Sequence, residues 1–110
     1  MTNWTVETLN KEVDAELERL PLDMRARFVR ISGLIELFGP DQVGMPHIKN
    51  IDKKLWEIRV TGRDGIARGI YVTASQKRVV VVHIFIKKTQ KTPPLAMATA
   101  IRRAKEANLL

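Results

Sequence analysis

The 110-residue chain contains no cysteine. That excludes disulfide frameworks, thiolate metal sites and cysteine nucleophiles, and it fits a reducing compartment. The two histidines, His47 and His83, stand too far apart to spell a metal-ligand motif. Long apolar runs are missing too: the longest, Val79–Ile86, is interrupted by His83 and is too short to span a bilayer. The N-terminal stretch MTNWTVETLNKEVDAELERL soon turns acidic and lacks the basic and apolar regions of a signal peptide. A cytoplasmic protein with no membrane partner is expected. There is no Gly-rich phosphate loop, no GxSxG and no glycosidase-like carboxylate pair. Beyond Leu55 the only acidic residues are Glu57, Asp64 and Glu106. A metal-dependent nuclease needs several carboxylates for its cations, so neither a metal nor a cofactor is expected. No internal repeat suggests a solenoid.

What the chain does have is positive charge, unevenly placed. The net charge is +7. Met1–Leu55 holds 8 Lys/Arg against 9 Asp/Glu, whereas Trp56–Leu110 holds 11 against 3. The excess therefore belongs to the second half. Such asymmetry points to a polyanion partner, with nucleic acid ahead of an anionic surface. A merely solubilising surface is the simpler alternative. The length fits one domain, residues 1–110, able to bury a core without cross-links.

The first half reads as helical. Asn10 is placed to cap a helix through KEVDAELERL, whose Val13, Leu17 and Leu20 share one face. Pro21 ends it. A second helix spans Leu22–Phe38, with Met24, Phe28, Ile31, Ile35 and Phe38 as its apolar stripe and Arg25, Arg27 and Arg30 off it. Gly39-Pro40 stops that helix. Residues Asp41–Asn50 have the composition of a loop, and NWTVET reads as a short strand but is too brief to assign firmly. KLWEIRV then alternates, with Leu55, Glu57 and Arg59 on one face and Trp56, Ile58 and Val60 on the other. GRDG is a hairpin turn, ARGIYVT a second strand, ASQK a second turn, and Arg78–Ile86 a third, valine-rich strand. Thr92 is predicted to cap a last helix over Leu95–Asn108, with Pro93 and Pro94 at its start. The class is α+β: an N-terminal helical hairpin packed on a small antiparallel β-meander, followed by a C-terminal helix.

On this plan cations from distant segments gather on one side and end of the sheet. Arg59 and Arg68 lie on adjacent strands, Lys87 and Lys88 continue the third strand, and Lys53 and Lys54 lead into the first. Lys91 follows close behind. Tyr71, His83 and Phe85 are candidates for the floor between them, as rings on which bases stack. A basic groove with interspersed aromatics suits single-stranded RNA. Simpler readings stand beside this one. Glu57 and Arg59 pair across the sheet, the lysines are a solvated strand end, and His83 is a hydrogen-bonded core residue.

KKLWEIRV, ARGIYV and VVVVHIFIKKTQKTP together resemble the RelE/HigB superfamily of bacterial toxins, in the branch of phage-derived, host-killing proteins of type II toxin–antitoxin pairs. The resemblance covers almost the whole chain. It implies a RelE-like fold and a metal-independent endoribonuclease that cuts mRNA on the ribosome. It also implies an antitoxin partner of helix-turn-helix type. The family's active-site arginine falls on Arg68 and its terminal lysines on Lys87 and Lys88. His83 or Tyr71 then becomes a candidate for proton transfer. Lys53, Lys54, Arg59, Phe85 and Lys91 become RNA-binding candidates. The alternatives are a gyrase poison resembling ParE and a non-catalytic RNA- or DNA-binding module.

Overall fold

The computed structural model describes residues 3–63, 65–87 and 92–110. Its elements run β1 (Thr5–Thr8), α1 (Lys11–Glu18), α2 (Leu22–Phe38), α3 (Pro40–Val43), β2 (Ile48–Asp52), β3 (Leu55–Gly62), β4 (Gly65–Ala74), β5 (Arg78–Lys87) and α4 (Pro94–Glu106). Among the described residues one sheet forms, in the order β1-β5-β4-β3-β2. The expected meander β3-β4-β5 is antiparallel and sits at its centre. Two short strands extend it. β2 pairs antiparallel with β3 and begins inside Asp41–Asn50, the segment expected to be loop. β1 pairs parallel with β5, so the sheet is mixed rather than purely antiparallel.

Local chemistry sets the helix boundaries. The Asn10 side chain accepts a hydrogen bond from the Val13 N–H at 3.2 Å, the N-cap that its position predicts. α2 spans the predicted residues and ends where Gly39 takes φ +84°, a conformation that a Cβ disfavours. Thr92 is not the cap of α4. That role falls to Pro93, with no side-chain bond, and the Thr92 hydroxyl turns to the sheet instead.

Helices cover both faces of the sheet. α1 and α2 bury Val13, Met24, Phe28, Ile31 and Ile35 against Ile58, Val60, Ala67, Tyr71, Val79, Val81 and Ile84. α4 lays Ala100 and Ala104 over Leu55, Ile70, Val72, Val80 and Val82 on the other face. Small residues on α4 let its backbone approach the sheet closely. The pairing register slips by one residue at Val82: Tyr71 faces Val81, yet Ile70 faces His83. This bulge reverses the alternation of β5. Val80 and Val82 point to the α4 face before it, and His83, Phe85 and Lys87 share that face after it.

β1 covers the outer edge of β5 only as far as Val81. α1 continues the cover. The Glu16 carboxylate accepts the Ile84 N–H at 2.9 Å and meets Nδ1 of His83 at 3.1 Å. Arg103 of α4 donates to the same carboxylate at 3.1 Å and to the Val82 carbonyl at 2.9 Å. An edge that would otherwise expose unpaired backbone is thus closed by side chains from two helices.

Candidate nucleic-acid interface

Beyond the start of α4, the α4 face of the sheet carries Glu57, Arg59, Arg68, Phe85 and Lys87. Register brings them together. Arg59 lies opposite Arg68, and Arg68 lies opposite Phe85. Lys87 is two residues further along β5, on the same face and about 7 Å away by strand geometry. At the centre is Glu57, fully buried at 0% exposure, with Arg68 at 1%. An Arg68 Nη lies 3.2 Å from one Glu57 oxygen and 3.4 Å from the other. Nε of Arg59 is 3.6 Å from that carboxylate, and the Thr92 hydroxyl donates to it at 3.2 Å. Two guanidiniums and a hydroxyl from three segments therefore converge on one anion.

A buried charge persists only when paired and hydrogen-bonded, which explains the company that Glu57 keeps. Sequence reasoning treated Glu57 as a simple pairing partner and missed its central position. The available signal was a carboxylate two residues from Arg59 on the strand neighbouring Arg68.

His83 stacks on Phe85, with ring centroids 5.1 Å apart. The imidazole is tied to Glu16 and Arg103, as a hydrogen-bonded, mostly buried histidine would be. Burial alone would push the Glu16 carboxyl up. The hydrogen bonds from His83 and Ile84 and the charges of His83 and Arg103 outweigh it and hold the group below the ordinary carboxylate value.

Two groups of expected floor and rim residues lie elsewhere. Tyr71 is three residues from Arg68 on an unbulged stretch and so faces the opposite side. It is 1% exposed in the α1–α2 core, and burial, with the charge of Asp41 second, raises its phenol further above the ordinary value. Lys53 and Lys54 belong to the β2–β3 turn, at the opposite end of the sheet from Lys87. Six strand residues separate the ends, about 20 Å. Lys88 and Lys91 lie outside the described residues. Among the described residues no cluster of His, Asp or Glu is arranged to hold a metal ion. Nor is any described helix long and apolar enough to cross a membrane.

A mixed five-stranded sheet between an N-terminal helix pair and one C-terminal helix is the RelE-like α+β fold. Solved RelE structures share it. A free-state RelE toxin of E. coli carrying two arginine-to-alanine substitutions matches with TM-score 0.59 and 14% identity, over 92% of this chain and 97% of that one. RelE from the archaeal RelE–RelB complex of Pyrococcus horikoshii matches with TM-score 0.56 and 22% identity, over 78% of this chain and 96% of that one. No curated protein matches the sequence. The chain belongs to the phage-derived Gp49-like protein family (DUF891), whose model matches residues 15–105.

Proposed function

We propose that this protein is the toxin of a type II toxin–antitoxin pair and acts as a metal-independent endoribonuclease on mRNA engaged with the ribosome. The observation that carries the reading is the convergence of Arg59 and Arg68 on one anionic point, with Phe85 and Lys87 on the same face. Donors that hold a carboxylate in this way also hold a phosphate.

RNA supplies its own nucleophile. The 2′-OH attacks the adjacent phosphorus, the phosphorus–O5′ bond breaks, and a 2′,3′-cyclic phosphate and a 5′-OH result. Arg68 and Arg59 stabilise the charge of the phosphorane, the electrostatic contribution that is often largest. Lys87, with Lys88 beyond it, assists from the strand end. Glu57, the carboxylate beside the phosphate-holding arginines, accepts the 2′-OH proton. His83 returns a proton to the leaving oxygen, and Phe85 stacks a neighbouring base. Thr92, which bridges Glu57 and Arg68, is the contact that substrate displaces. Lys53 and Lys54 meet RNA only at a distance from the cut, and Tyr71 takes no part. The ribosome supplies the rest of the positioning. A RelE crystallised with RelB supports an antitoxin as partner here. We take it to be a helix-turn-helix protein encoded nearby. Function on the ribosome places the protein in the cytoplasm.

The test is cleavage of an mRNA programmed into ribosomes. Wild type should cut it, and Arg68→Ala should lose on the order of 100- to 1,000-fold in rate. A folded Arg68→Ala variant with full cleavage would reject the mechanism. The burial of Arg68 and Glu57 also favours a second reading, a structural ion pair inside a non-catalytic RNA-binding module. That reading requires salt-sensitive RNA binding without cleavage, even with ribosomes present.

A further inference from the structure

A second basic feature borders this face at Arg59 and extends along α2. Between α2, the free edge of β3 and the segment leading into β2 is a cavity of about 430 Å³. Its lining carries Arg27, Arg30, His47 and Arg59, and its walls include Ile31, Leu34 and Ile66. β2 pairs with β3 only as far as Ile58, so the β3 edge beyond Arg59 has no neighbouring strand among the described residues. Arg27 crosses the gap and donates to the Thr61 carbonyl, which fixes one side of the rim. Arg30 is exposed and has no hydrogen-bond or ion-pair partner among the described residues.

The volume lies within the range of roughly 300–1,000 Å³ typical of ligand pockets. Its chemistry is divided: cations at the mouth, branched aliphatics within. Nucleobases are held by aromatic stacking, and these walls offer no aromatic ring except His47 at the rim. A branched apolar side chain matches the aliphatic wall better, and carboxylates match the guanidiniums. We propose that this cavity docks an acidic peptide segment of a protein partner. One apolar anchor residue packs against Ile31, Leu34 and Ile66, and its flanking carboxylates pair with Arg30 and Arg27. The cavity shares Arg59 with the nuclease face but neither Arg68, Glu57 nor Lys87, and Arg30 and Leu34 belong to it alone.

The experiment selects displayed 12-residue peptides on the wild-type protein and, in parallel, on Arg30→Glu. Enriched peptides are then titrated by fluorescence anisotropy, beside a 12-nucleotide single-stranded RNA. The methyl resonances of Ile31, Leu34 and Ile66 report where each probe binds. Peptides with an apolar residue flanked by Asp or Glu should be enriched on wild type. They should shift those methyls and bind Arg30→Glu about tenfold or more weakly. Leu34→Asp should weaken them comparably, and matched thermal unfolding would show both variants folded. The proposal is overturned if no peptide is enriched over Arg30→Glu, or if enriched peptides lack carboxylates. Equal affinity for both variants overturns it as well, as does RNA shifting the three methyls.

Discussion

Replacing Arg68 with alanine should destabilise the protein far more than replacing Arg68 and Glu57 together. Glu57 is 0% exposed and Arg68 1%. In Arg68→Ala the carboxylate keeps the Thr92 hydroxyl at 3.2 Å and Arg59 at 3.6 Å, but loses its nearest cation. Breaking a buried pair from one side leaves a charge with only this weaker support and costs about 3–5 kcal/mol. For a domain of this size that lowers Tm by more than about 10 °C. Replacing both partners by apolar residues of similar bulk, Glu57→Leu with Arg68→Met, removes the stranded charge. Such replacements are often neutral, so the double variant should lie within about 2 kcal/mol of wild type. Equilibrium urea unfolding at neutral pH gives all the values needed for the cycle. The double variant should also be inactive on ribosome-bound mRNA, separating stability from catalysis. If Arg68→Ala unfolds within about 1 kcal/mol of wild type, or the double variant is worse than either single one, the reasoning about the pair is wrong.

Other consequences are equally specific. The Glu16 carboxyl is held below its ordinary value, so the stability it lends is complete above about pH 4.5 and fades as pH falls below that point. Glu16→Gln should therefore be less stable than wild type at pH 7, and the gap should narrow as pH falls below about 4.5 in urea titrations. A Cβ on Gly69 would lie 2.6 Å from the rigid Phe28 ring, whereas one on Gly62 would lie 2.5 Å from Cγ of Met24, an unbranched side chain that repacks more readily. Gly69→Ala should cost about 1–3 kcal/mol by overpacking and exceed the effect of Gly62→Ala. Lys87→Ala should slow mRNA cleavage roughly tenfold or more, while Lys53→Ala with Lys54→Ala should change it less than about threefold.

The limits of the sequence are physical ones. The 3.6-residue stripe of α2 and the alternation of β3 survive because each faces one core, and Gly39 ends α2 by backbone conformation alone. β1 and β2 are hard to read because TVET has no fully buried residue and IKNID buries only Ile48. Their pairing comes from the edges of β5 and β3, not from their own pattern. The bulge at Val82 is silent in a run of four valines, which reads the same in either register. Thr92 has the residue type of a cap, but a buried carboxylate competes for its hydroxyl. The misplacement of Tyr71 was avoidable, since an odd separation from Arg68 on one strand means opposite faces. Likewise, strand direction alone separates Lys53 and Lys54 from Lys87. The convergence on Glu57 needed the cross-strand register that only the fold supplies.

The most direct measurement uses an mRNA, programmed into ribosomes, with a single 2′-deoxynucleotide at a mapped cut site and EDTA-treated protein. The account predicts that the all-RNA strand is cut to a 2′,3′-cyclic phosphate and a 5′-OH, and that the deoxy position resists. Cleavage 3′ to the deoxynucleotide, or an intact all-RNA strand, would contradict it.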